Sequence, residues 1–211
     1  MLKNSLLFFL LGLGTALLAF YNALFPVLAI TAMTRFLALE GFFLLCVSLI
    51  IGPLAVLFPK KFCQLLETRR SVGLLAFAAI ALHFLLVFAI SYNFSLSPIF
   101  SGFPLLVALP ALLLLAVIAL FSNDYSMKKL GFFKWKAVQR LAYFVFALSL
   151  AHFAMEANGL FTGASGGKVF ANLAELSMLA LALAAILLQF AGFFRMKGLK
   201  KTAADKECVP D

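Results

Sequence analysis

The chain has 211 residues, 65% of them hydrophobic and only 12% charged, with a mean hydropathy of +1.11. That balance excludes a soluble globular domain and is the composition of an integral membrane protein, with no room for a second folded domain of useful size. The net charge of +9 does not point to nucleic acid, because the 17 Lys and Arg residues fall in short segments between apolar runs, as positive-inside topology requires.

Lys3 precedes an apolar run from Ser5 to about Ala23. This run is long for a signal peptide and lacks a small-x-small cleavage site, so it is read as a first span. Pro26 breaks it, and a second span runs from Arg35 to about Phe58, stopped by Pro59. Lys60, Lys61, Arg69 and Arg70 are assigned to the connection that follows. A third span covers Ser71 to Ser91, and the turn Tyr92–Pro98 carries no charge, which marks it as the far side. The fourth covers Gly102 to Phe121 with a kink expected at Pro110, and the fifth covers Ala137 to Met155. A Gly-rich loop from Glu156 to Lys168 leads to a sixth span, Val169 to Phe194.

Lys3, four cations in residues 60–70, five in 128–140 and five after Phe194 put 15 of the 17 basic residues on one side, leaving Arg35 and Lys168 opposite. The expected fold is therefore an all-α integral membrane bundle of six transmembrane helices over residues 1–194, both termini cytoplasmic, with a basic, disordered tail over 195–211. Such a chain belongs in the inner (plasma) membrane as a multi-pass protein. Cys46, Cys63 and Cys208 match neither disulfide nor zinc spacing and are read as free thiols.

Only two histidines occur, His83 and His152, each inside an apolar span. An ionisable residue at that depth is a functional candidate by default. His83 lies 13 residues after Arg70 and His152 lies 12 after Arg140, so both rings should sit roughly 18–20 Å past their arginines, at one depth. Two imidazoles facing one another in a bundle are what a haem iron needs as axial ligands. Gly73, Ala76 and Ala79 form a strip without bulk on the face of His83, where a flat macrocycle has room, and Ser149 stands one turn from His152 to orient its ring. The bland alternative is that each histidine makes an interhelical hydrogen bond and the alanines serve close packing. Glu40, Glu156 and Glu175 are either proton carriers or solvated carboxylates near the outer ends.

The run Arg69-Arg70-x-x-Gly73-Leu74-x-x-Phe77-Ala78-x-x-x-Leu82-His83, preceded by Gly52-Pro53-Leu54, resembles the third-helix signature of the ferric reductase-like transmembrane family. Leu130-Gly131, Trp135, Tyr143 and His152 resemble its fifth helix. Within the family the likeness is to the haem-binding membrane subunits that serve a periplasmic methionine sulfoxide reductase. It covers Gly52 to Met155, and the double arginine at a fixed distance before the histidine is its most specific part. The resemblance implies a b-type haem held by His83 and His152 and a flavin (FMN) near the cytoplasmic face, met by Arg69, Arg70, Gln139 and Arg140. Topology and lipid headgroups alone also account for those cations. Relatives commonly carry another histidine where this chain has Gln139, so one haem per chain is expected.

No Gly-rich nucleotide loop is present, so electrons must come from a separate cytoplasmic flavin reductase or a quinol and leave to a periplasmic or extracellular redox partner. On this reading the chain is the electron-transfer subunit of a membrane oxidoreductase system and needs no catalytic acid or base of its own. A small proton- or metal-coupled transporter and a structural partner without cofactor are the alternatives, the first lacking the inverted half-repeat that would favour it.

Overall fold

The computed structural model describes residues 13, 14, 16, 29–97, 100, 103–156 and 169–207, and every regular element among them is helical. In chain order these are α1 (Ala29–Leu57), the single turn α2 (Pro59–Phe62), a 3-10 turn (Cys63–Leu65), α3 (Leu66–Ile90), α4 (Phe103–Leu120), α5 (Asp124–Leu130), α6 (Phe132–Arg140), α7 (Ala142–Glu156) and α8 (Val169–Glu207). Four stretches are long and apolar enough to cross a membrane: Met33–Leu57, Pro59–Ile90, Phe132–Glu156 and Glu175–Gly198. Pro104–Leu120 makes a fifth when taken with Asp124–Leu130, which leaves it at 86°. The protein is thus an all-helical, multi-pass membrane protein. The first expected span, Ser5 to about Ala23, lies outside the described residues except for Leu13, Gly14 and Ala16, which are helical.

Helix boundaries depart from the sequence expectation at four places, the fifth span being one of them, since it begins at Phe132 rather than Ala137. Helix α1 begins at Ala29, so Arg35 sits more than a turn inside it. Helix α3 begins at Leu66, which puts Arg69 and Arg70 in its first two turns rather than in a connection; no proline or glycine intervenes after Pro59 to hold them outside. Helix α8 does not stop at Phe194, and its 39 residues run to Glu207, about 58 Å of helix. The Lys- and Ala-rich sequence beyond the apolar run favours helix on its own propensity, so 195–207 is helical rather than unstructured.

Helix α1 is the centre of the bundle. Half of its most apolar window is buried, against 6 to 22% in the other continuous spans. Gly41, Leu45, Ser48 and Gly52 fall on one face at helical spacing and meet the antiparallel α3. A Cβ on Gly41 would stand 2.6 Å from Ile80 Cγ1 and 3.2 Å from the Ile80 backbone nitrogen, so the two backbones approach as only glycine permits. Further along, a Cβ on Gly73 would meet Ser48 Oγ at 3.4 Å, and one on Gly52 would meet Arg69 Nη1 at 3.2 Å. Ala76 and Val72 are buried in this seam, and Cys46 is buried in α1 beside it.

Pro53 lies inside α1 and has no N–H, so the carbonyl four residues back, that of Leu49, loses its helical donor. Gln189 of α8 supplies one: its Nε2 donates to Leu49 O at 2.7 Å, and its Oε1 accepts from Tyr143 Oη at 3.3 Å. Gly192, one turn on, brings α8 close enough that a Cβ there would stand 3.2 Å from Pro53 Cβ.

At the basic end Arg70 ties three elements together. Its Nε donates to the Ser122 carbonyl and its Nη1 to Asp124 Oδ1, fixing the corner where α4 gives way to α5. The Asn123 side chain caps α5 by accepting from Ser126 N at 2.6 Å, and Trp135 Nε1 donates to Phe121 O at 2.9 Å. Gly131, with φ +75°, makes the turn between α5 and α6. The Arg70 hydrogen bond, and then its charge, hold the Asp124 carboxyl below its ordinary value of 3.8.

Two outcomes follow. Gln189→Leu leaves the Leu49 carbonyl without a donor inside the membrane and should lower unfolding free energy in micelles by about 1–2 kcal/mol, with Tyr143→Phe costing less. An unchanged denaturation midpoint for Gln189→Leu would contradict the assignment. Because a lowered carboxyl pKa contributes only above that pKa, the Arg70–Asp124 tie is complete at neutral pH and is lost as pH falls through the lowered value. At neutral pH, Arg70→Ala should accelerate tryptic cleavage at Lys128 and Lys129 several-fold, and equal cleavage in the parent would show that Arg70 does not hold the corner.

Candidate functional site

Helices α1 and α4 begin, and α3 and α7 end, at the end of the bundle away from Arg69 and Arg70. His83 lies two turns before the end of α3 and His152 one turn before the end of α7. Both line a single cavity of about 390 Å³ enclosed by these four helices, with Glu175 of α8 at its edge.

Each imidazole is held the same way. His83 Nδ1 lies 2.8 Å from Thr34 O of α1, and His152 Nδ1 lies 3.0 Å from Pro104 O of α4. A carbonyl oxygen only accepts, so in both rings Nδ1 is the nitrogen that carries the proton, and in a neutral imidazole so held the lone pair is on Nε2. This is how a metal-ligating imidazole is oriented and its basicity raised. Two imidazoles are too few for a bare ion, and no cluster of three or more His, Cys, Asp or Glu able to hold one occurs among the described residues. An iron already held by a macrocycle needs only an axial pair.

The walls suit a large apolar group. Phe42 of α1 stacks nearly parallel on Phe153 and Phe146 of α7, with ring centroids at 5.3 Å and 6.1 Å, and Phe42 and Phe153 face the cavity. Space comes from small residues: Ala38 on α1 with Ala108 and Ala111 on α4. Arg35, Tyr92, Glu156 and Glu175 supply its polar lining, with Arg35 the charged neighbour of Glu175.

Of the residues singled out in the sequence, His83, His152, Ser149, Glu156 and Glu175 line this cavity. Gly73, Ala76 and Ala79 do not line it. Gly73 and Ala76 serve the close α1–α3 seam instead, because that face of α3 is turned toward Gly41 and Ser48. Arg69, Arg70, Gln139 and Arg140 lie at the opposite end. Arg70 is committed to Ser122 and Asp124, Arg69 rests over Gly52, Arg140 is exposed, and the buried Gln139 Nε2 has no hydrogen-bond partner. Glu40 is absent from the cavity wall, and its carboxyl abuts Gly14. Cys46 and Cys63 are free thiols, one buried and one exposed, and Cys208 lies outside the described residues.

Sequence reasoning missed the two carbonyls that orient the rings and the alanines of α4. Ala108 and Ala111, three apart in a Leu-rich run, were a legible sign of a recess; a carbonyl acceptor leaves no mark in sequence.

Comparison with known proteins places this architecture. Residues 15–150 match the model of the ferric reductase like transmembrane component. The chain is 30% identical over 154 residues, 70% of its own length and 69% of the relative's, to the protein-methionine-sulfoxide reductase heme-binding subunit MsrQ of Rhizobium meliloti. It is 28% identical over 154 residues, covering 70% of each chain, to the MsrQ of Agrobacterium fabrum. It is also 32% identical over 130 residues to the magnetosome protein MamZ of Magnetospirillum gryphiswaldense, covering 60% of this chain but 20% of that protein. A family match over well more than half the chain, on helices that bring His83 and His152 into one cavity, has one meaning: the chain belongs to the ferric reductase-like transmembrane component family.

Proposed function

We propose that this protein is a haem b-binding membrane electron-transfer subunit, carrying electrons from a cytoplasmic flavin reductase or a quinol to a redox partner on the outer side of the inner membrane. The observation that carries the reading is the pair of imidazoles on one cavity, each with Nδ1 engaged by a backbone carbonyl at 2.8 Å and 3.0 Å, which leaves Nε2 as the nitrogen for ligation. The name of the MsrQ relatives, a heme-binding subunit, supports the same cofactor.

The residues present fit that group. His83 and His152 would hold the iron, the Phe42–Phe153 stack and Ala38, Ala108 and Ala111 would enclose the macrocycle, and Ser149 stands beside His152 on the cavity wall. When bound, the haem supplies one-electron redox chemistry that no side chain here provides. The chain's own part is to fix two ligand rings, exclude water with apolar walls and set the distance to each membrane face. With two histidines in the whole chain and Gln139 where relatives place another, the ligand supply is one haem per chain.

FMN at the basic end belongs to the same proposal. Its support is Gln139, whose buried Nε2 lacks a partner, with Arg69 and Arg140 as further cations at the same end of the bundle. Six spans with both termini cytoplasmic complete the reading, supported by the 15-to-2 distribution of Lys and Arg.

Alanine at either His83 or His152 should abolish the reducible Soret and α bands entirely, and a pyridine haemochrome assay should give one haem per chain. Two haems, or a substantial α band surviving in His83→Ala, would overturn the ligand assignment. An enzyme reporter fused after Asp211 should be active only in the cytoplasm; periplasmic activity would reverse the topology.

A further inference from the structure

Helix α5 and the first turns of α6, as far as Lys136, form a surface that the electron-transfer reading does not use. Helix α5 leaves the end of α4 at 86°, so a span lying along the membrane normal sends it along the membrane plane. The segment from Asp124 to Lys136 carries Lys128, Lys129, Lys134 and Lys136 against a single acid, Asp124, already neutralised by Arg70.

Its aromatics face outward: Phe133 is 87% exposed, Tyr125 72% and Phe132 55%. The cations lie over them, with Lys129 Nζ 5.8 Å from the Tyr125 centroid and Lys136 Nζ 5.2 Å from that of Phe132. Apolar rings under ammonium groups on extended stems are the arrangement of a water–lipid boundary, with rings toward the acyl chains and charges at the headgroups. The Asn123 cap, the Gly131 turn and the Trp135–Phe121 hydrogen bond hold this arrangement in place.

We infer that α5, lying in the membrane plane, and the first turns of α6, where the span that continues into α7 begins, form a basic aromatic corner that binds anionic phospholipid headgroups. An acidic protein would satisfy the lysines but would not by itself cover three outward aromatics in a segment flanked on both sides by membrane spans. Headgroups and acyl chains together do both.

The sequence supplies its own probe, because Trp135 is the only tryptophan. Nanodiscs of phosphatidylcholine and phosphatidylglycerol in equal amounts, with bromine on the acyl chains of one lipid or the other, report which lipid lies beside it. Brominated phosphatidylglycerol should quench Trp135 about twofold more strongly than brominated phosphatidylcholine, a preference that high salt should erase. Substituting Lys128, Lys129, Lys134 and Lys136 with Gln should equalise the two while far-ultraviolet circular dichroism stays unchanged. Equal quenching in the parent, or a preference that survives both salt and substitution, overturns the inference. Equal quenching together with slower reduction of the substituted protein by a soluble reductase would mean that the face docks a protein instead.

Discussion

A polar group in the bilayer core has no water to turn to, and its partner must come from the protein. Much of this bundle is arranged by that constraint. Pro53 strips the Leu49 carbonyl of its donor, and Gln189 crosses from α8 to replace it. Two imidazoles stand among apolar side chains, and each donates a hydrogen bond from Nδ1–H to a carbonyl on a neighbouring helix. In each case one hydrogen bond settles which faces of two helices meet. In the proposed reading the imidazoles do more than dock helices, because using Nδ1 for structure leaves Nε2 for the iron.

The division of labour along α1 shows how packing and site depend on each other. Its glycines and Ser48 face α3 and draw the backbones together, while Thr34, Ala38 and Phe42 face the cavity. Close contact at Gly41 and Ile80 fixes α3 just below His83, so the ring's position is set by a seam that contains no functional group. A side chain at Gly41 would push α3 away and carry His83 off the Thr34 carbonyl. In the proposed reading this is how an apolar bundle achieves the ligand placement that a metal centre requires.

What was legible in the sequence follows the same physics. Apolar runs, cation clusters and two isolated histidines are strong, local signals, and from them came the membrane class, four continuous spans with a fifth bent one, and two of the residues that line the cavity. The small-residue strip Gly73–Ala76–Ala79 was read as room for a ligand, yet Gly73 and Ala76 pack against α1; periodicity reveals that a face is smooth but not what lies on it. Arg70 was read as a cation of the connection that meets a flavin or lipid headgroups, and its ties to Ser122 and Asp124 span more than fifty residues, a separation that no local pattern reports. The helical continuation past Phe194 was hidden because charge signals the end of a span, not the end of a helix.

The central claim is that one iron takes its two axial ligands from the only two histidines of the chain. Protein grown with nitrogen-15 histidine, loaded with haem and studied by pulsed hyperfine spectroscopy in the ferric state, tests it directly. The account predicts a low-spin centre with two histidine nitrogens coupled to a single iron. A high-spin centre, or coupling to one histidine nitrogen or none, would contradict it.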